Sequence, residues 1–183
     1  MAQVIYYLPG HGGKLDSALG KELMRRGFDI AGRSTTGEFN QLSFSDQVQT
    51  IANDLESGFW FEDAKIVANS FGAYLFLHAQ ALLPPFIGKV LLLSPIVGEF
   101  TNDEKMMSFV PPKTDVLKNL VDTGNYPIPI NIEMHVGSED WQSSPDSVQA
   151  LGTKLGIFYT IVSNEGHSLS KAYVSTVLDR WLL

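Results

Sequence analysis

Short apolar runs alternate with stretches of helical period along almost all of this 183-residue sequence, and that alternation restricts the fold more than any other feature. Lys89-Val90-Leu91-Leu92-Leu93-Ser94 is apolar without interruption, the pattern of a strand covered on both faces and so of a parallel sheet. Val4 to Leu8, Asp29 to Arg33, Ala64 to Asn69, Asn131 to Val136 and Ile157 to Val162 read as five further strands. Between them, Leu15, Leu19 and Leu23 recur every fourth residue and end at Arg25-Arg26-Gly27, a basic last turn with a C-cap glycine. Phe44, Val48, Ile51 and Leu55 share one helix face, opened by an approximate capping box of Ser43 and Asp46. Phe71 to Leu83 is a helix without a polar face, and therefore central. Val148, Leu151 and Leu155 mark a short helix, and Leu169 to Leu182 a terminal one. The expected fold is α/β: a three-layer sandwich with a six-stranded, mostly parallel sheet and helices on both faces. At about 150 residues per domain, 1–183 forms one domain.

Thirteen Lys and Arg against 20 Asp and Glu give a net charge of −7 with no basic tract, which argues against a nucleic-acid partner. The chain has no cysteine, so disulfides, thiolate metal sites and a cysteine nucleophile are excluded. The longest apolar run, Ala73 to Leu83, is broken by His78 and Gln80 and stops at Pro84-Pro85, short of the ~18 residues of a membrane span. Met1 to Leu8 has no basic leader region and reads as the first strand, so the expectation is no membrane partner and a cytoplasmic location.

In a parallel sheet the chemistry stands just beyond the carboxyl ends of the strands. Four segments hold candidates there. Ala68-Asn69-Ser70-Phe71-Gly72 places a serine between a strand and the apolar helix, with small residues two before and two after it; Ser70 is equally placed to be a helix N-cap. Pro9-Gly10-His11-Gly12-Gly13 is a glycine-rich turn able to present amides to an anion. It lacks G-x-G-x-x-G spacing, because Leu15 stands where the third glycine belongs, and it lacks Walker spacing around Lys14. Val136-Gly137-Ser138-Glu139-Asp140 ends the fifth strand; Asp140 also suits a turn cap. Asn164-Glu165-Gly166-His167-Ser168 follows the sixth, and imidazole is the side chain that takes and returns protons near neutral pH. His78 and His135 fall within a helix and a strand and are expected to be structural, and His11 to shape its loop. No compact metal-ligand spacing is present, and neither a metal nor any other cofactor is expected.

Together these segments resemble the α/β-hydrolase superfamily over nearly the whole chain, with Ala68 replacing the first glycine of the G-x-S-x-G elbow. The resemblance implies a minimal α/β-hydrolase with Ser70 as nucleophile, His167 as base and Asp140, three residues beyond Gly137, as acid; Glu139 and Asp146 are the alternatives for the acid. It implies an oxyanion hole made by the backbone N–H groups of Gly13, or Gly12, and of Phe71. The expected function is a serine hydrolase of carboxylesterase or thioesterase type, cleaving a small ester or related acyl substrate through an acyl-enzyme. The alternatives are a non-catalytic binding protein on the same fold and a flavodoxin-like nucleotide binder using Gly10 to Gly13. The resemblance also implies that the two antiparallel strands that usually precede the first strand are missing and that 96–129 is a short cap-like insertion leaving the site comparatively open. Met106, Met107, Phe109, Val110, Pro111 and Pro112 there suit either an acyl pocket or ordinary core.

Overall fold

A computed structural model describes residues 3–183; Met1 and Ala2, at the head of the expected first strand, lie outside the described residues. Strands β1 (Val4–Leu8), β2 (Asp29–Gly32), β3 (Lys65–Asn69) and β4 (Lys89–Leu93) enclose helices α1 (Ala18–Arg25), α2 (Gly37–Gln41), α3 (Phe44–Gly58) and α4 (Phe71–Gln80). The hairpin β5 (Phe100–Asn102) and β6 (Met107–Phe109) follows, then α5 (Thr114–Asp122), β7 (Asn131–Gly137), α6 (Pro145–Leu155), β8 (Phe158–Val162) and α7 (Lys171–Trp181). The main sheet has six strands in the order β2-β1-β3-β4-β7-β8, and every pairing in it is parallel. It is therefore wholly parallel, because each connection between its strands carries at least one helix back across a face.

Side chains alternate across this sheet with the period of two that a strand imposes. Tyr6, Leu8, Ile66, Ala68, Val90 and Leu92 pack under α3, α4, α5 and α6 on one face. Ile5, Tyr7, Val67, Leu91 and Leu93 pack under α1 and α7 on the other. The uninterrupted Lys89 run thus feeds two cores at once, as its composition requires. All of Gly72 to Gln80 is buried, so α4 is central, and no helix among the described residues is long and apolar enough to cross a membrane.

Ser43 caps α3 by accepting the Asp46 amide at 3.1 Å, while its hydroxyl donates to the Asp46 carboxylate at 2.7 Å. Leu15 lies outside α1, which begins at Ala18. Residues 96–129 hold the β5–β6 hairpin and α5. Met106, Met107, Phe109 and Val110 of that segment point mostly to solvent, Met106 with 92% of its surface exposed, so these four side chains are not ordinary core. Phe100 packs edge-on against Trp141 at 5.6 Å and against Phe109 at 5.3 Å, which stands the hairpin beside the loop after β7. Tyr74 donates to the Pro112 carbonyl at 2.6 Å and fixes the other end.

Candidate active site

Ser70 sits between β3 and α4 with φ 52° and ψ −123°, a left-handed backbone that costs a non-glycine residue about 1–3 kcal/mol. Its neighbours hold it there: the Ser70 amide donates to Leu93 O at 3.0 Å, and the Ser70 carbonyl accepts from Ala73 at 3.1 Å and Ile96 at 3.2 Å. The turn is tight enough that a Cβ on Gly72 would stand 2.3 Å from Leu8 O and 2.4 Å from Pro9 O, so only glycine fits. Although Ser70 occupies the N-cap position of α4, its side chain caps nothing. Its Oγ lies 2.7 Å from His167 Nε2 instead.

His167 is carried by the loop between β8 and α7. Its Nδ1 is 2.9 Å from Asp140 Oδ2 and 3.0 Å from Asp140 Oδ1. Asp140 has no exposed surface, and its Oδ1 also accepts the Gln142 and Ser143 amides at 3.0 and 2.9 Å. It therefore caps its own turn and holds the imidazole as well. Charge-assisted bonds from backbone amides are what allow a carboxylate to stay buried. Glu139 and Asp146, both exposed, make no contact with His167 among the described residues. The acid loop and the histidine loop touch through backbone. The Glu139 amide donates to Glu165 O at 2.9 Å, and a Cβ on Gly137 would stand 2.1 Å from that same oxygen.

The glycine-rich turn after β1 lies against the serine, for a Cβ on Gly10 would be 3.2 Å from Ser70 Cβ. The Gly13 amide, the first expected oxyanion donor, is turned away from that space. It donates to Gly10 O at 3.0 Å and to Thr35 Oγ1 at 3.0 Å. Gly13 is corrected on this ground: an amide already spent on two acceptors inside a turn is not free for a third. The amides of His11, of Gly12, the other expected donor, and of Phe71 form no hydrogen bond among the described residues; Phe71 follows Ser70 directly, and the His11 ring stands 6.1 Å from the Phe71 ring. Thr35, almost fully buried, locks the turn by accepting the Gly13 amide and donating its hydroxyl to the Gly10 carbonyl. No local spacing pointed to it, because it comes from the loop after β2.

Ser94, at the end of β4, is a second non-glycine residue with positive φ, 45°. Its amide donates to His135 O at 2.7 Å and its carbonyl accepts from Ser143 Oγ at 2.6 Å. Behind it, His135 bridges Tyr173 OH at 2.6 Å and Glu133 Oε1 at 2.9 Å, and Arg180 closes the network on Glu133. Burial pushes the His135 imidazole below its ordinary value, against the partial opposition of Glu133. Burial opposes the charge on Glu133, yet the bonds from Arg180 and His135 prevail and hold its carboxyl low. His78 stands with Nε2 unpartnered between Phe44 and Tyr74, ring centroids 5.0 and 4.6 Å away, and burial, aided by Lys113, pulls its value down to about 4.

A cleft of about 1080 Å³ opens beside the serine, with Gly10, Asn69 and His167 in its wall; Ser70 is not among its lining residues. It runs outward between α1 and α7. The arrangement holds a hydroxyl, a ring nitrogen and a carboxylate in one hydrogen-bonded line, near unspent amides of the glycine-rich turn and of Phe71. Such a line can move a proton off the hydroxyl while the amides receive negative charge.

No protein-family model and no curated protein matches the sequence. Solved structures match along nearly its whole length. The ydeN gene product from B. subtilis superposes with a TM-score of 0.67 at 14% identity, covering 98% of each chain. A structure from a study of carboxylesterases of the thaumarchaeon Nitrososphaera gargenis gives 0.63 at 12%, covering 97% of this chain and 89% of that one. The alpha/beta hydrolase domain-containing protein 10 from mouse gives 0.66 at 13%, covering 96% and 86%.

Proposed function

We propose that this chain, which has the α/β-hydrolase fold, is a serine hydrolase of small esters or related acyl substrates. The observation that carries the reading is the continuous contact from Ser70 Oγ through His167 to the buried Asp140, with spacings of 2.7 and 2.9 Å. In the proposed reaction Ser70 Oγ bonds to the substrate carbonyl carbon as its proton passes to His167 Nε2. The resulting oxyanion accepts from the Phe71 and His11 amides. The bond to the leaving oxygen then breaks and that oxygen takes the proton from His167. Water repeats the sequence on the acyl-enzyme, releasing the acid and restoring Ser70. Asp140 holds the imidazole in one tautomer and stabilises its cation. Preorganised amides at the oxyanion are worth ~10²–10³ in rate each. The acyl substrate is the only partner this chemistry requires.

Labelling by a fluorophosphonate probe and turnover of a 4-nitrophenyl ester are expected from the wild type and lost in Ser70→Ala; turnover that survives the substitution overturns the reading. Asp140→Asn is expected to lower kcat by about 10⁴-fold, as in triad enzymes generally. An unchanged rate would remove Asp140 from the mechanism.

A further inference from the structure

The cleft beside Ser70 combines an apolar wall, which includes Leu19, Leu93, Leu169 and Val174, with polar and charged groups. Its floor, where β1, β3 and β4 end, presents polar side chains whose bonding capacity the protein leaves partly unused. Asn69 accepts the Tyr7 hydroxyl at 3.2 Å through Oδ1, and its Nδ2 makes no hydrogen bond among the described residues. Ser94, only 3% exposed, lines the cleft, and its hydroxyl likewise has no partner among them. Tyr7 OH and Ser17 Oγ, 2.9 Å apart, continue the polar surface toward the mouth. Neither atom is among the buried polar atoms left without a partner, so both open onto the cleft and are available to a ligand's polar groups.

The mouth carries charge. Lys21 and Lys171 stand on its two sides, on α1 and α7, and neither forms a salt bridge or hydrogen bond among the described residues. Arg25 and Glu22, also in the wall, satisfy each other at 2.7 Å. In a chain of net charge −7, two lysines without an acidic partner in the wall of one cleft favour an anion there. The one arginine of the wall is engaged by Glu22, so no free planar fork is offered, and the lysines act as point charges, which is sufficient for a singly charged carboxylate.

We infer that the cleft receives an ester bearing a carboxylate at the end of a short chain, the class of dicarboxylate hemiesters, with Asn69 and Ser94 beside the ester group, the chain along the apolar wall, and Lys21 and Lys171 at its charged end. This rests on the catalytic reading of Ser70. Each exposed ion contact contributes up to about fivefold, so the pair favours the anionic substrate by up to about twenty-five-fold.

The test compares mono-4-nitrophenyl adipate with 4-nitrophenyl hexanoate, which have the same acyl chain and differ by the terminal carboxylate. The wild type is expected to show the higher kcat/KM for the adipate hemiester. That ratio should fall toward one in the double variant Lys21→Gln, Lys171→Gln, and in 1 M salt, where the screening length is about 3 Å. A wild-type ratio of one or less, or a preference undiminished in the double variant, overturns the inference. A binding measurement separates it from the catalytic reading. Monomethyl adipate titrated onto the Ser70→Ala protein is expected to shift the amide resonances of Asn69, Ser94, Lys21 and Lys171, and methyl hexanoate to leave the lysines unmoved. Shifts there support the cleft even if no ester is turned over; their absence overturns it even if esters are.

Discussion

Alanine at Gly137 would drive the two loops that meet behind His167 apart. Its Cβ would stand 2.1 Å from Glu165 O and 2.5 Å from Gly166 O, where ordinary contact begins at 3.4 Å. Both obstacles are backbone, so no side chain can rotate away, and the loop has to retreat bodily by about 1 Å. The 2.9 Å bond from the Glu139 amide to Glu165 O stretches with it. Crowding a packed interior costs ~1–3 kcal/mol and a lost backbone bond ~1 kcal/mol, so Gly137→Ala is expected to destabilise the protein by about 2–4 kcal/mol. His167 lies two residues beyond Glu165 and moves too, drawing Nε2 from its 2.7 Å contact with Ser70. A displacement of that size costs on the order of 10²-fold in rate. The assay is a urea unfolding curve beside the rate of fluorophosphonate labelling. The matched control is Gly166→Ala, whose Cβ meets nothing within 4 Å and whose φ is outside the left-handed region. Its stability is expected within about 0.5 kcal/mol of wild type. An unchanged Gly137→Ala protein, or one no worse than Gly166→Ala, would refute the argument from backbone crowding.

Thr35→Val keeps the side-chain shape but removes the hydroxyl that accepts the Gly13 amide and donates to the Gly10 carbonyl, leaving those two groups only their bond to each other. A loss of about 1–3 kcal/mol in urea unfolding, with kcat falling more than KM rises, is expected; wild-type stability would remove Thr35 from the loop's support. His78 predicts a pH dependence. Its folded value of about 4 lies below the ~6.5 of an unfolded histidine, so the unfolded chain takes up a proton first as pH falls. Its contribution to stability is complete above pH ~6.5, declines by about 3 kcal/mol between there and pH 4, and is constant below. The urea midpoint of wild type relative to His78→Leu should therefore fall as pH drops through that window, and a constant difference would contradict the burial argument.

The six strands and most helices were legible because each buries a continuous or periodic apolar set, as the Lys89 run and the Phe44, Val48, Ile51, Leu55 stripe do. The hairpin was not, since β5 and β6 are three residues each and no β6 residue is buried. A strand that covers nothing leaves no period to read. Helix α5 buries only Leu117 and Val121, and α2 buries nothing. Ser70 and Asp140 were legible because chain geometry constrains their neighbours: Gly72 abuts Leu8 and Pro9, and Gly137 abuts Glu165. Which N–H of the glycine turn stays free was not, because Thr35 engages the Gly13 amide with a hydroxyl that arrives from 22 residues further on.

The strand order also governs when the proposed catalyst exists at all. Ser70 follows β3, Asp140 follows β7 and His167 follows β8, so the three meet only after β3, β4, β7 and β8 have zipped in register. Parallel pairing between such distant segments is slow, whereas helices form in about a microsecond, so in refolding turnover returns long after helicity. The reverse path begins at the margin. His167 hangs from β8, which has a neighbour on one side only, and local opening favours such a strand over the middle of the sheet. Catalysis is thus a reporter of the sheet's rim, silenced by a fluctuation that leaves the interior folded.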